Sequence, residues 1–172
     1  MDLAETTSDQ RHETESHLPP SIYFPLGVNE IRVLRAVEGS SYPEWRCENL
    51  ELDKGHAFYA VSYTWGEDFR FQQQSISLSG RDLSVGKNAY DVLEFLQSNN
   101  EVNRTIPIWL DAVCIDQTNH LEKLHQIPLM KKVYSQASIV WIFLGKASGP
   151  QAGPVARGTL SVLDHPISSL RL

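Results

Sequence analysis

The feature that most constrains this chain is a pair of short apolar runs separated by an amphipathic segment. The run IPIWLDAVCI, residues 106–115, and the run SIVWIFLG, residues 138–145, have the length and composition of strands buried on both faces. Between them, apolar residues recur at helical spacing: Leu124, Ile127, Met130, Val133, Tyr134 and Ala137. Because the strand-like segment YAVSYTW and a helical pattern precede these elements, the sequence predicts an α/β fold with a mainly parallel, flavodoxin-like central sheet flanked by helices.

Two pairs of alternating segments predict β-hairpins. EIRVLRAV, residues 30–37, and WRCENLEL, residues 45–52, are separated by a turn-rich stretch and form a predicted N-terminal β-hairpin. ISLSGRDLSVG contains two shorter runs around a Ser-Gly turn, which indicates a second hairpin. Asn88 then follows as the predicted cap of a helix whose apolar residues are Ala89, Val92, Leu93 and Leu96.

Composition divides the chain into three parts. Residues 1–22 have few apolar side chains and are predicted to be disordered. Residues 23–146 carry the strand and helix patterns and form one predicted domain, as expected for a chain of 172 residues. Residues 147–172 are rich in Gly, Pro and Ser, which predicts a poorly ordered tail.

Charge and cysteine content exclude several classes of protein. The net charge of −6 and the scattered basic residues argue against a nucleic-acid partner, because phosphate binding requires clustered Lys and Arg. Only Cys47 and Cys114 are present, and the polar start lacks the apolar core of a signal peptide. No apolar run is long enough to span a membrane. We therefore predict a cytoplasmic protein with neither a nucleic-acid nor a membrane partner.

Trp65 and Gly66 end the strand that begins at Tyr59, and the carboxylates Glu67 and Asp68 follow. Ligands of open α/β folds bind beyond the carboxyl ends of the strands, so this position is a candidate site. The Trp65 ring has two interpretations: it either packs in the core or provides an aromatic surface on which a ligand stacks.

Asp111 stands inside a predicted buried strand, where a carboxylate needs a partner. It either accepts hydrogen bonds from backbone amides of a neighbouring loop or belongs to a site at the sheet edge. A metal site from Cys114, Asp116, His120 and His125 matches no strong zinc spacing. Cys114 as a catalytic nucleophile is a further hypothesis, although thiols in apolar strands are usually packing residues.

The segment that follows has the signature of a helix start. Asn119 and Glu122 have the spacing of a capping box, which explains Glu122 without catalysis. Gln126, one turn later, either orients a ligand or bonds a loop carbonyl. Pro128 is expected to kink or split the helix, because it removes a backbone donor.

Three blocks, in order and spacing, resemble the fungal heterokaryon incompatibility (HET) domain. They are FYAVSYTWGE, ISLSGRDLSVGKNAYDVLEFL and IWLDAVCIDQTNHLEKLHQIPLMKKVYSQASIVWIFLG, over residues 58–145. The positions that match the family's motifs are Tyr59, Ser62, Tyr63, Trp65, Gly66, Asp111, Cys114, Gln117, Glu122, Gln126, Met130, Tyr134, Ala137 and Gly145. Asp116 stands where the family usually has Asn, Lys123 where it has Arg, and Pro128 is a further departure. The family's domain ordinarily continues well past this point, so we predict a truncated domain.

The resemblance implies a role in fungal non-self recognition, as an effector of programmed cell death that acts by protein assembly, including homotypic association. HET domains are similar to TIR domains, some of which cleave NAD, so an NAD-cleaving enzyme and an inactive truncated fragment are the alternatives. For the enzyme, the resemblance implies Glu122 and Asp111 as catalytic carboxylates and NAD as a substrate, with no cofactor and no metal. The implied ligand-binding residues are Tyr63, Trp65, Gly66, Asp116, Gln117 and Gln126.

Overall fold

The computed structural model describes residues 22–40, 43–66, 72–99 and 104–143. The expected disorder of residues 1–22 and 147–172 falls, apart from residue 22, outside these ranges, as do Glu67, Asp68 and Gly145. The elements, in chain order, are β1 (Glu30–Ala36), β2 (Glu44–Glu51), β3 (Tyr59–Tyr63), β4 (Gln73–Leu78), β5 (Arg81–Gly86), α1 (Lys87–Ser98), β6 (Ile108–Trp109), α2 (Asp111–Cys114), α3 (His120–Gln136) and β7 (Ile139–Phe143).

The described strands form one seven-stranded sheet in the order β5-β4-β2-β1-β6-β3-β7. Strands β5 and β4, β2 and β1, and β1 and β6 pair antiparallel, whereas β6, β3 and β7 are parallel and β2 pairs with β4 in parallel. The predicted fold class, a mainly parallel sheet flanked by helices, is therefore wrong, since the sheet is mixed, its longest ladders are antiparallel and it has few helices. Both hairpins join the same sheet as the strands around the helices.

The hairpins form where the sequence patterns indicate. Strand β1 pairs with β2 along its whole length, from Glu30 opposite Glu51 to Ala36 opposite Trp45. Strand β4 pairs with β5 around Ser79 and Gly80, both of which have positive φ. The side chains inside the sheet and beneath the helices form one core, whose largest fully buried members include Trp45, Trp109, Phe58, Leu93 and Leu110.

Helix α1 buries Ala89, Val92, Leu93 and Leu96, as its apolar spacing predicts. The predicted cap is wrong. Gly86 is the N-cap residue, and Asn88 lies in the first turn, where its Nδ2 donates to the carbonyl of Thr64 (2.8 Å). Asn88 thus ties the helix to the segment that follows β3.

The predicted strand over residues 106–115 is also wrong, because only Ile108–Trp109 pair as β6. Asp111 begins the one-turn helix α2, and the amides of Val113 and Cys114 donate to the carbonyl of Leu110. A continuous apolar run does not distinguish a buried strand from a buried turn of helix, and here the residues after Trp109 satisfy their backbone groups locally.

Helix α3 is continuous through Pro128, so the expected split does not occur. Pro128 lies on the exposed side of the helix. The buried positions of α3 are Gln126 and Val133, whereas Leu124 and Ile127, predicted to face the core, are 59% and 57% exposed. The C-terminal half of α3 is tied to the turn after β2, because Lys132 and Gln136 both bind the Asp53 carboxylate.

Candidate functional site

The residues that follow β3 form an aromatic corner at the carboxyl edge of the sheet. The Tyr63 and Trp65 rings are stacked, with centroids 6.3 Å apart and planes 15° from parallel. Gly66 has φ +85°, and a Cβ added there would lie 3.0 Å from Asn88 Nδ2. Glycine is needed at this position both for its backbone conformation and for the close approach of Asn88.

Asp111 lies against this corner, because α2 begins directly after β6, the neighbour of β3 in the sheet. Its Oδ2 accepts a hydrogen bond from Trp65 Nε1 (3.0 Å), and its Oδ1 accepts one from the amide of Ala112 (2.7 Å). Tyr63, Trp65 and Asp111 are thus brought together, which confirms that Asp111 has polar partners. These partners are an indole as well as a backbone amide.

Burial raises the pKa of the Asp111 carboxyl, although the bonds from Trp65 and Ala112 act in the opposite direction. Burial also raises the pKa of Tyr63 and, to about 12, that of Tyr134, and the nearby Asp111 adds to both shifts. This group of side chains therefore favours protonated, neutral forms. A carboxyl group whose pKa is raised stays protonated at higher pH and can act as a proton donor.

The raised pKa of Asp111 predicts how stability depends on pH. A carboxyl whose pKa is higher in the folded state than its usual 3.8 contributes stability that is complete below that value and is lost as pH rises through the folded pKa. Asp111→Asn removes this titration. We expect the free energy of unfolding of the variant, relative to the wild type, to increase from about pH 3 to about pH 7. Urea denaturation at each pH measures it, and a constant difference would contradict the expectation.

Gln117 and Asp116 hold the loop between α2 and α3. Gln117 Nε2 donates to the carbonyls of Asp111 (3.0 Å) and Ile115 (3.2 Å). Asp116 Oδ1 accepts from the amide and hydroxyl of Thr118. Both predicted ligand-binding side chains therefore make local bonds that fix the backbone around Asp111.

Glu122 is engaged in a separate, largely buried network. Its two carboxylate oxygens accept bonds from Arg32 Nη1 (2.5 Å) and Nη2 (3.0 Å), and Oε1 also accepts from the amide of Asp116 (2.7 Å). Arg32 is 1% exposed and also donates to the carbonyls of Phe24 and Cys114. The guanidinium additionally lies 4.8 Å from the Tyr23 ring centroid. Glu122 thus joins α3 to β1 and to the loop before α3.

The capping box at the start of α3 is half formed. Asn119 Oδ1 accepts from the amide of Glu122 (3.1 Å), as predicted, while the Glu122 side chain binds Arg32 instead of returning to the helix start.

We expect Asn119→Ala to lower the free energy of unfolding by about 1 kcal/mol, since it leaves a first-turn amide without its acceptor. Asn119→Asp retains the acceptor and should leave stability within about 0.5 kcal/mol of wild type. Equal losses in the two variants, measured by urea denaturation, would contradict the capping role.

Gln126 and Cys114 are both buried. Gln126 is 3% exposed, and its Nε2 donates to the carbonyl of Glu30 (2.9 Å). It therefore bonds a backbone carbonyl, but one that belongs to strand β1 and not to a loop. Cys114 is fully buried, its Sγ accepts from the amide of Leu110, and burial raises its pKa well above the usual value. That environment disfavours the thiolate that a nucleophile requires.

The predicted site residues thus fall into two groups. Tyr63, Trp65, Gly66 and Asp111 meet at the carboxyl edge of the sheet, whereas Glu122 and Gln126 connect α3 to β1. Sequence reasoning missed Arg32, the partner of Glu122. The available signal was its position between Ile31 and Val33 in an apolar strand pattern. The structure covers both faces of this strand, so the arginine needs a buried acceptor.

A cleft of about 360 Å³ lies at the opposite end of β3 and β7, between the segment 50–58 and Gln136 and Ser138, and none of the predicted site residues lines it. In the part of the chain that the structure describes, no three metal-binding side chains cluster together. None of its helices has the length and apolar character needed to cross a membrane.

A sequence model of one family, described as heterokaryon incompatibility protein (HET), matches residues 58–166. The chain is also similar to heterokaryon incompatibility protein 6, OR allele, of Neurospora crassa, with 29% identity over 99 residues. That alignment covers 53% of this chain and only 15% of the relative. No solved structure matches significantly. The matched region contains the aromatic corner, Asp111 and the whole of α3.

Proposed function

Because this chain belongs to the heterokaryon incompatibility (HET) family, we propose that it acts in fungal non-self recognition as a cytoplasmic effector of programmed cell death. In this proposal it acts by assembling with protein partners, including copies of itself. The net charge of −6 makes a nucleic-acid partner unfavourable. The chain spans 15% of the length of its relative, so the proposed role is that of the HET domain alone.

The observation that supports this proposal is the exposure of two large apolar side chains, both connected to the Arg32–Glu122 pair. Leu121 precedes Glu122 and is 75% exposed, and Phe24, whose carbonyl accepts from Arg32, is 69% exposed. We call these two residues the assembly patch. Exposed apolar side chains mark protein interaction sites where they form a contiguous patch, and the proposal takes these two residues as part of one. The buried ion pair connects Phe24, through Arg32, to Glu122 of α3.

The test compares the wild type with Leu121→Asp. We expect the full chain to self-associate in a concentration-dependent manner, measured by light scattering after size-exclusion chromatography, and Leu121→Asp to shift it to the monomer. Conditional expression in a filamentous fungus should cause uptake of a vital dye with the wild type only. Lys54→Asp, which changes an exposed side chain on the turn after β2, is the matched control and should self-associate as the wild type does. A wild type that is monomeric at all concentrations would overturn the proposal.

A second candidate, NAD cleavage, is favoured by the position of the Asp111 carboxyl, which is hydrogen-bonded to the Trp65 indole at the carboxyl edge of the sheet. In this candidate NAD is the substrate, the Tyr63 and Trp65 rings provide a stacking surface, and Asp111 stabilises positive charge that develops on the ribose as nicotinamide leaves. That role requires the ionised carboxylate, whose formation burial opposes. Glu122 is a weaker candidate than Asp111, because its carboxylate is already neutralised by the buried Arg32 guanidinium and also accepts from the amide of Asp116.

Nicotinamide release from NAD by the purified chain distinguishes the two candidates. Release by the wild type and Leu121→Asp, with loss in Asp111→Asn, would support the enzyme. Absence of release from a folded and self-associating wild type would leave assembly as the function. Asp111→Asn is preferable to Glu122→Gln as the test variant, since it leaves the Arg32–Glu122 pair intact.

A further inference from the structure

The two flanks of α3 face different parts of the sheet. Tyr134 faces β3, because its hydroxyl donates to the carbonyl of Val61 (3.4 Å) and its ring packs edge-on against Trp109 at 5.5 Å. Helix residues seven apart lie on the same side, so Ile127 shares this flank. Lys132 binds Asn29 and Asp53 on the opposite flank, and Leu121, eleven residues earlier, lies there.

The flank that bears Tyr134 and Ile127 faces β3, and the strand next to β3 on its open side is β7. Strand β7 pairs with β3 on one side and is the outermost strand among the described residues. Its Ile142 is the register partner of Ser62, whose side chain bonds Tyr134, so Ile142 and Val140 point to the α3 side of the sheet. We call Ile127, Val140 and Ile142 the α3–β7 face. All three side chains are at least partly exposed.

Chain direction indicates what can reach this face. The chain passes from β6 through α3 to β7, crossing β3, and such crossovers between parallel strands are right-handed. A further crossover in the same direction, from β7 to a strand outside it, must lie on the same face of the sheet as α3. It would begin at Phe143 and cover the α3–β7 face.

The sequence supplies a segment for this crossover. The family match continues to residue 166, beyond the end of β7. The residues from 144 to 166 exceed the dozen or so that a parallel crossover requires, and they include Val155, Leu160, Val162 and Leu163. These apolar side chains would be removed from water by packing against an apolar surface. The exposed α3–β7 face would in turn be covered by them.

We propose that the α3–β7 face binds residues 144–166 of the same chain, which complete the layer that covers this side of the sheet. This binding differs from the expectation that residues 147–172 form a poorly ordered tail. It also goes beyond the assembly function, which uses the Leu121 flank of α3 and a protein partner, because it assigns the Ile127 flank to residues 144–166. Leu121 remains available to partners, while Ile127 is covered from within the chain.

Limited proteolysis of the full chain tests the proposal through cleavage by trypsin after Arg157, followed by mass spectrometry. We expect cleavage in the wild type to be at least about tenfold slower than in a synthetic peptide of residues 147–172. Ile127→Asp should accelerate it by at least about tenfold, whereas Leu121→Asp, on the other flank, should not change it. Both substitutions replace exposed side chains, and circular dichroism verifies that the variants are folded.

Each other outcome overturns the proposal. Cleavage of the wild type at the rate of the peptide would show that the segment is not held. Equal protection in the wild type and Ile127→Asp would place the segment elsewhere. A dimer that Ile127→Asp dissociates without a change in cleavage would assign the face to a second copy. The assembly proposal is tested separately, because its readout is the molar mass of the wild type and Leu121→Asp in solution and not the rate of cleavage.

Discussion

Glu122→Ala is expected to lower the free energy of unfolding by about 3–5 kcal/mol, as measured by urea denaturation. The variant leaves the Arg32 guanidinium, whose side chain is 2% exposed, without its carboxylate partner. Among the described residues, the guanidinium would keep only the carbonyls of Phe24 and Cys114 as acceptors, neither of which carries a full negative charge. The amide of Asp116 loses its acceptor in the same change.

Two further variants identify the cause of this loss. Glu48 also pairs with an arginine of β1, Arg35, at 2.7 Å, but both side chains are substantially exposed, so Glu48→Ala should cost less than about 1 kcal/mol. The double variant Arg32→Met, Glu122→Leu removes both charges and should recover most of the stability. A double variant as unstable as Glu122→Ala would contradict the assignment of the loss to an unpaired buried charge.

Trp109→Ala is expected to cost about 3–5 kcal/mol, because it opens a cavity where the sheet meets α3. Trp109 is 1% exposed, belongs to β6 and packs edge-on against Tyr134. Asp111 follows two residues later, so the change should also loosen the contact between Asp111 and Trp65. Urea denaturation measures the loss in stability, and the fluorescence of the remaining tryptophans reports the looser contact.

Trp109→Phe is the matched control for this prediction. The indole nitrogen of Trp109 has no hydrogen-bond partner in the described part of the chain, so phenylalanine loses volume without losing a hydrogen bond. We expect it to retain at least half of the stability that alanine loses. If the two substitutions cost the same, packing of the ring against Tyr134 is not the source of the effect.

The sequence was most informative about local structure. Both hairpins and the buried side of α1 follow from the spacing of apolar residues and from turn chemistry, which act over a few residues. The mixed sheet was not predictable in the same way, because β6 contributes only Ile108 and Trp109, and its neighbours β1 and β3 are distant in the chain. No periodicity encodes such a partnership.

The candidate site was partly predictable for a similar reason. The sequence indicates Trp65 by its position at a strand end and Asp111 as a carboxylate inside an apolar run, and the structure joins the two by a hydrogen bond. The role of Glu122 depended on Arg32, which is ninety positions away in sequence. Leu124 and Ile127 fit a helical pattern. That pattern alone does not show whether the side of the helix that bears them packs against the sheet or stays open to another segment.

The two-residue strand β6 has a consequence for the order of folding. It pairs with β1 on one side and β3 on the other, and thereby connects the antiparallel half of the sheet to the parallel half. During synthesis, the strands before it lack this connection until residue 109 has left the ribosome. Pairings between distant segments are slow to form, so complete folding should await this late insertion. The earlier strands would meanwhile expose unpaired edges to chaperones.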